Sequence, residues 1–193
     1  TKVVCVPATS GATVMVDNAT TVTPLGGSAT ETKRTVLTGQ ETSVVAEGTE
    51  GPVGGAISGS DAVRTLTQCV KPVSQGVIAL PATADTQLKI VNPDASEAAI
   101  DLTLYGAEGE IQALGARGIT LAAYQERTIA LSVLTEKATP VGVSFQASRG
   151  RAAVMAITQT QSSGTAAGPS QLGTSHLLPG IPAGATSSVV VLA

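Results

Sequence analysis

The sequence has very few aromatic and charged side chains. Of its 193 residues, only Tyr105, Tyr124 and Phe145 are aromatic, tryptophan is absent, and charged residues make up 13%. The formal net charge is −3, and a chain with this balance lacks the basic patch and stacking aromatics that nucleic-acid binding needs. No run of 18 apolar residues occurs, so the sequence predicts no membrane-spanning helix.

Histidine is also scarce, which limits catalytic and metal chemistry. His176 is the only histidine, and it is a candidate general base or metal ligand. A single histidine without a carboxylate cluster or cysteine pair rarely builds either site, so a loop residue is the simpler interpretation. The sequence also has no G-x-S-x-G nucleophile elbow. We therefore predict a protein that is not an enzyme, with no catalytic residue, metal site or cofactor.

Two cysteines, Cys5 and Cys69, are present. An even number of cysteines in a chain with few lysines and many small polar residues is typical of an exported protein. We predict that the two form a disulfide, which would stabilise the fold by about 4 kcal/mol through loop closure. Two buried free thiols are the alternative.

Hydrophobic residues make up 42% of the chain, and they alternate with polar residues over many short segments. A period of two is typical of half-buried strands. Residues 152–157 are apolar at every position and predict a central strand, buried on both faces. With turns between the segments and one helical turn near 131–137, the pattern predicts an all-β fold, an antiparallel β-sandwich. The alternating apolar residues include Leu88, Ile90, Ile100, Leu102, Leu104, Ile119, Leu121, Ile129, Val143 and Phe145.

The clearest pair of alternating segments flanks Asn92-Pro93-Asp94, which predicts a turn because proline presets the backbone and aspartate caps it. A hairpin that places Ile90 opposite Ile100 keeps both apolar faces in phase. This register puts Lys89 opposite Asp101 on a solvent-exposed face.

Two stretches rich in glycine and small polar residues, 48–60 and 162–174, are typical of linkers. They predict a small strand-rich region at 1–60, tied by the disulfide to a main β-sandwich domain at 61–161. The tail "HLLPGIPAGATSSVVVLA" is similar to "GVIALPATADTQLKIVN". Residues 175–193 are therefore predicted to begin a second, truncated repeat, and chance similarity in an alanine- and valine-rich chain is the alternative.

Charged and aromatic residues at the turns are the candidates for contacts. Acidic pairs near 94–97 and 108–110 could hydrolyse glycosides or bind Ca²⁺. A nine-residue strand separates the two pairs by about 30 Å, so solvated acids at the rim of the sheet are the favoured interpretation. Three arginines beside turn glycines could bind phosphate or acidic sugars, or keep strand ends soluble. Tyr105, on the predicted solvent face, and Tyr124 could contact a sugar or a partner. The candidate ligand or partner contacts are Tyr105, Tyr124, Arg117, Arg149 and Arg151.

Residues from about 69 to 193 carry turn motifs in "LKIVNPDASEAAIDLTLYGAEGEI", "ARGITLAAYQERTIALSVL" and "VGVSFQASRGRAAVMAI". Asn-Pro, Tyr-Gly-x-x-Gly, Arg-Gly and Arg-Gly-Arg in this order resemble the actinobacterial domain of unknown function family 5719. One departure is "VIALPA" after Cys69, where the family usually carries an aromatic residue and Pro-Gly.

The resemblance implies an exported cell-envelope protein with tandem β-domains, tethered to the membrane through a segment outside this chain. It also suggests partnership with a membrane glycosyltransferase in envelope polysaccharide assembly. Our leading hypothesis is a non-catalytic structural or accessory protein that acts through protein–protein interaction. The alternative is a carbohydrate-binding module of the cell wall, and the missing catalytic set disfavours a hydrolase.

Overall fold

The computed structural model describes residues 1–7, 12–25, 29–31, 35–38, 42–59, 66–80, 86–135, 139–159 and 164–169. In these residues antiparallel sheets and one short helix confirm the predicted all-β, sandwich-like fold. The first strands are β1 (Lys2–Cys5), β2 (Thr13–Asp17), β3 (Thr21–Pro24), β4 (Ala29–Glu31), β5 (Thr35–Thr38), β6 (Val44–Glu47), β7 (Gly54–Ser58) and β8 (Leu66–Gln68). The remaining elements are β9 (Gln75–Ala79), β10 (Thr86–Val91), β11 (Ala98–Gly106), β12 (Gly109–Ile111), β13 (Ile119–Leu121), β14 (Glu126–Ala130), α1 (Leu131–Thr135), β15 (Gly142–Arg149), β16 (Ala153–Gln159) and β17 (Gly164–Ala167).

The described strands assemble into four sheets. Sheet I has the order β4-β5-β2-β7-β8, and sheet II has the order β1-β6-β3. Sheet III is β14-β10-β16-β17, and sheet IV is β12-β11-β15-β9, with β13 also paired to β11. We call sheets I and II the first sandwich and sheets III and IV the second sandwich.

The first sandwich is closed by a disulfide. Cys5 of β1, in sheet II, is bonded to Cys69 beside β8 of sheet I, with their Cα atoms 4.2 Å apart, which confirms the predicted pairing. A Cβ atom at Gly55 in β7 would lie 2.7 Å from the Cys69 Sγ, so this strand needs a glycine beside the bond. The core between the two sheets contains Val3, Cys5, Ala12, Val14, Val16, Val44, Ala46, Val53 and Ile57.

The second sandwich encloses larger side chains. Alternate residues of β11 and β15 point inward, as the sequence predicts, and meet the inward residues of β10 and β16. Its core contains Ile78, Leu80, Leu88, Ile90, Ile100, Leu102, Leu104, Ala116, Ile119, Leu121, Ile129, Leu131, Leu134, Val143, Phe145, Ala152, Val154 and Ala156.

Sheets II and III pack against each other, so the two sandwiches share an apolar interface. Its described members are Val4, Val6, Leu25, Val45, Val91, Ala153, Met155 and Ile157. Strand β16 lies between β10 and β17 and is buried on both faces. The prediction of a central strand at 152–157 is therefore confirmed, because one face belongs to the second sandwich and the other to this interface.

The predicted β10–β11 hairpin is wrong. Strand β10 pairs with β14 and β16 in sheet III, whereas β11 pairs with β12, β13 and β15 in sheet IV. The 92–97 connection therefore crosses from one sheet to the other. Asp101 lies opposite Gln146, not Lys89. Lys89 is only 4% exposed and its ammonium lies 3.6 Å from a Glu126 carboxylate oxygen, because the second face of β10 meets sheet II and not solvent.

The two predicted linkers are also wrong in part, since 48–60 contains β7 and 162–174 contains β17. Close packing accounts for Gly55 but not for Gly54, where a Cβ atom would meet no other atom within 4 Å, and β7 is paired on both edges. The boundary between 1–60 and 61–161 stays a prediction. The predicted repeat strand at 175–193 and His176 lie outside the described residues.

Candidate functional site

The structure places four of the five predicted contact residues in two regions, and the fifth, Arg149, in an exposed ion pair with Glu97. Arg151 and Tyr124 lie near Lys2 and Asp94, and we call these four residues the loop cluster. Arg117 lines a cleft on the outer face of sheet IV, and Tyr105 borders it; we call this region the sheet cleft.

Asp94 is the centre of the loop cluster. Its carboxylate accepts hydrogen bonds from Lys2 Nζ at 2.9 Å and from Arg151 Nε at 2.8 Å, and a third from Arg151 Nη2 at 3.1 Å. Lys2 Nζ also donates to the Pro93 carbonyl oxygen at 3.0 Å. Since Lys2 belongs to β1 and the other two residues to the second sandwich, this cluster joins the two sandwiches by charge.

A buried asparagine fixes the loop that carries Asp94. Asn92 is 1% exposed, and its Oδ1 accepts a hydrogen bond from the Asp94 backbone N–H at 3.1 Å, the local turn that the Asn-Pro-Asp motif predicts. The Asn92 side-chain N–H groups bond the Ser96 carbonyl at 2.7 Å and the Ala122 carbonyl at 2.9 Å. The same side chain therefore holds both the 92–97 loop and the turn before Tyr124.

The electrostatics of the cluster favour the ionised carboxylate. The Arg151 hydrogen bond lowers the pKa of Asp94 to about 2, against partial burial that raises it, and Lys2 adds a second hydrogen bond in the same direction. Partial burial lowers the pKa of Lys2, but the hydrogen bond and charge of Asp94, with smaller contributions from Glu47 and Tyr124, outweigh it, so the pKa of Lys2 is raised. The Asp94 carboxylate is therefore ionised at neutral pH and holds both cations.

Tyr124 has a left-handed backbone conformation, with φ of +54°. A bulky residue with positive φ carries strain of about 1–3 kcal/mol, which persists only where the surroundings impose it. Here the Tyr124 N–H donates to the Asp94 carbonyl oxygen at 3.1 Å, which fixes the turn. The side chain is 43% exposed, and Lys2 Nζ lies 5.8 Å from the ring centroid, so the ring is presented to solvent beside a cation.

The three predicted arginines do not gather into one basic patch. Arg149 pairs with Glu97 at 2.6 Å in an exposed ion pair close to the loop cluster. Arg117 lies 3.8 Å from Glu110, also exposed. With Arg151 bonded to Asp94, each of these three arginines has a carboxylate partner, and three acids of the predicted rim, Asp94, Glu97 and Glu110, form ion pairs.

The sheet cleft has a volume of about 770 Å³. Its floor is the outer face of β11, β15 and β9, where the register places Asp101, Gln146 and Gln75 in one row and Thr103, Ser144 and Val77 in the next. The Tyr105 hydroxyl lies 3.4 Å from Ser144 Oγ. The lining residues are Val70, Lys71, Val73, Gln75, Gly76, Val77, Asp101, Thr103, Arg117, Ser144, Phe145, Gln146 and Pro169.

The sequence pattern predicts Tyr105 and Arg117 as contact residues but does not predict the glutamine and hydroxyl side chains of the cleft. Alternation in 142–149 does indicate that Ser144 and Gln146 share the face opposite Phe145. It does not indicate that β9 and β11 flank this strand, since that pairing joins distant segments.

Within the described ranges, no group of three or more histidine, cysteine, aspartate or glutamate side chains is arranged to hold a metal ion. No helix in the same part of the chain is long and apolar enough to cross a membrane.

The sequence profile of a family described as "Family of unknown function (DUF5719)" matches residues 11–193. No curated protein and no solved structure matches the chain significantly.

Proposed function

Because the chain belongs to the family of unknown function DUF5719, we propose its function from the geometry of its two candidate regions. The protein is a non-catalytic accessory protein of the cell envelope, and it binds a protein partner through the loop cluster. The observation that carries this proposal is the exposed ring of Tyr124, which a fixed backbone presents beside cationic side chains.

Tyr124 has the features of a binding anchor. Its ring is 43% exposed, while its backbone is held at φ +54° by the hydrogen bond to Asp94 and by the bonds of Asn92 to the preceding turn. Residues kept in costly backbone conformations cluster at binding and catalytic sites. A backbone that is already fixed loses little conformational entropy on binding, which raises affinity.

The neighbours of Tyr124 favour a protein as the partner. Tyrosine and arginine are enriched at the centres of protein–protein interfaces and among the residues that dominate binding energy. Asp94 holds Lys2 and Arg151 in place, and the Arg151 side chain is 41% exposed whereas that of Lys2 is 12% exposed, so a partner meets mainly the Tyr124 ring and the Arg151 guanidinium. A carbonyl-rich surface is complementary to this pair.

The disulfide supports export. Such bonds persist in oxidising compartments and are rare where thiols are kept reduced. The Cys5–Cys69 bond joins the two sheets of the first sandwich, and Cys5 is fully buried. The partner that we propose is therefore an envelope protein, and a membrane glycosyltransferase is the candidate that the family resemblance suggests.

Affinity capture from membranes solubilised in mild detergent tests this proposal, with the wild-type chain and the variants Tyr124→Ala and Tyr105→Ala. We expect an envelope protein to be retained by the wild type and by Tyr105→Ala, and lost with Tyr124→Ala. Tyr105 is the matched control because it lies on another face. Retention of the same proteins by Tyr124→Ala, with its fold intact by circular dichroism, would refute the proposal.

Carbohydrate binding is the second candidate function, and a different feature favours it. The floor of the sheet cleft carries amide and hydroxyl side chains next to Tyr105, whereas the loop cluster is dominated by ion pairs.

A further inference from the structure

The floor of the sheet cleft is a regular array of polar side chains. Adjacent strands lie about 4.8 Å apart and residues on one face repeat about every 6.8 Å along a strand. In this array Gln146 has Asp101 and Gln75 as its neighbours across the strands, and Ser144 has Thr103 and Val77. A flat grid of donors and acceptors is thereby held on rigid strands.

Much of this hydrogen-bonding capacity is unused within the protein. In the ranges that the structure describes, the side chains of Gln75, Gln146 and Thr103 make no hydrogen bond to another described residue. Each amide has two donor hydrogens and one acceptor oxygen. Asp101 differs, since one of its oxygens accepts from the Gly118 N–H at 2.7 Å, and this bond fixes the carboxylate at the cleft wall.

The cleft has walls as well as a floor. Arg117 adjoins β11 on one side, while Lys71 and Pro169 adjoin β9 on the other. The two cations are matched by two carboxylates, Asp101 in the lining and Glu110 beside Arg117. The site is therefore close to electrically neutral, which favours an uncharged ligand over a phosphate or a sugar acid.

We propose that the sheet cleft binds a neutral oligosaccharide. Its volume of about 770 Å³ falls in the range of small-ligand pockets, about 300–1,000 Å³. Sugar hydroxyls both donate and accept, as do the amide and hydroxyl groups of Gln75, Gln146, Thr103 and Ser144. The C–H faces of sugar rings can pack on Val77 and on the ring of Tyr105, beside the row that contains Ser144.

The test is isothermal titration of the whole 193-residue chain with cello-, chito- and manno-oligosaccharides of two to six units, followed by mapping of amide chemical shifts. We expect at least one series to bind, with shifts confined to β9, β11 and β15 and to the cleft walls around Lys71, Arg117 and Pro169. The double variant Gln75→Ala/Gln146→Ala should bind about tenfold more weakly, since two neutral hydrogen bonds are lost. Gln112→Ala is the matched control, as Gln112 is exposed and outside the cleft, and it should bind within twofold of the wild type.

The proposal is overturned if no series binds, if the double variant binds as well as the wild type, or if the shifts fall elsewhere. Binding of an unstructured peptide in the cleft in preference to every saccharide also overturns it. A uronic-acid oligomer that binds more tightly than the neutral series would refute the assignment of an uncharged ligand. The inference rests on the second candidate function, carbohydrate binding, and not on the proposed protein partner, because Tyr124→Ala leaves the cleft intact and should leave saccharide binding unchanged.

Discussion

The two sandwiches differ in the size of the side chains that fill them. Within the described residues, the core of the first sandwich contains valine, alanine, cysteine and one isoleucine, Ile57, and no leucine. The core of the second contains leucines and isoleucines from most of its strands together with Phe145. Each additional buried methylene stabilises a fold by about 0.8 kcal/mol, so the second sandwich gains more from packing than the first.

The difference indicates how each sandwich is stabilised. A core of small side chains buries little apolar surface, and a covalent link between its sheets compensates by restricting the unfolded chain. The Cys5–Cys69 bond is placed where this is needed, between sheets I and II. Both cysteines of the chain are in that bond, so the stability of the second sandwich depends on the packing of its core.

Removal of the disulfide should have the largest effect on stability, and the effect should be concentrated in the first sandwich. In the variant Cys5→Ala/Cys69→Ala the chain loses a link that spans a sequence separation of 64 residues, and we expect a loss of about 4 kcal/mol in the free energy of unfolding. Native-state hydrogen exchange should show the loss of protection concentrated in β2 and β6, with β10 and β15 less affected. Equal loss in both sandwiches would show that they unfold as one unit and that the first has no separate dependence on the bond.

Removal of the central charge of the loop cluster has the next largest expected effect on stability. Asp94→Asn removes the charge that holds Lys2 and Arg151, and the Asp94 side chain is 23% exposed. We expect a loss of about 1–2 kcal/mol at pH 7, less than a fully buried pair because solvent screens part of it. Urea unfolding should also become less cooperative, because the charged link between the sandwiches is gone.

The pH dependence of that loss has a definite sign. The pKa of Asp94 is about 2 in the folded protein, below its ordinary value of 3.8, so its contribution is complete only well above pH 3.8, declines below about pH 5 and is lost as the pH falls through about 2. Wild type and Asp94→Asn should therefore converge in stability at low pH. Glu97→Gln is the control: its pair with Arg149 is exposed on both sides, and we expect a change within about 0.5 kcal/mol. A difference between wild type and Asp94→Asn that is the same at pH 2 and pH 7 would contradict the assigned role.

Local sequence pattern predicts the class of this fold and several of its details. Alternation identifies the inward faces of β11 and β15, and the apolar run at 152–157 identifies the central strand. It does not predict which strands pair. Ile90 and Ile100 face the same core from opposite sheets, and the alternating pattern of both segments is equally consistent with a hairpin.

The candidate regions were harder to predict for the same reason. The loop cluster depends on Lys2 reaching Asp94 across 92 positions, and the cleft depends on three strands separated along the chain. The charge of Lys89 predicts that its face of β10 is exposed to solvent. The interface between sheets II and III instead buries the Lys89 side chain beside Glu126. Only the packing of one sandwich on the other provides that information.

The smallest expected effect comes from the two non-glycine residues with positive φ. Asn18 in the first sandwich (+59°) tolerates this conformation, and its side chain donates to the Glu50 and Pro52 carbonyl oxygens at 3.0 and 2.9 Å. Tyr124 in the second sandwich (+54°) has no such tolerance. Glycine should therefore raise the free energy of unfolding at position 124, relative to alanine there. At position 18 it should lower the free energy of unfolding, relative to the wild type.

At position 124, we expect glycine to be about 1 kcal/mol more stable than alanine, because glycine adopts positive φ without strain. At position 18, glycine should be about 1 kcal/mol less stable than the wild type, because two hydrogen bonds are lost and little strain is relieved. Urea unfolding with unchanged m-values measures both. If Tyr124→Gly were instead no more stable than Tyr124→Ala, the backbone at 124 would carry no strain. The ring would then be exposed without a conformational cost, which would remove the main reason for considering it a binding anchor.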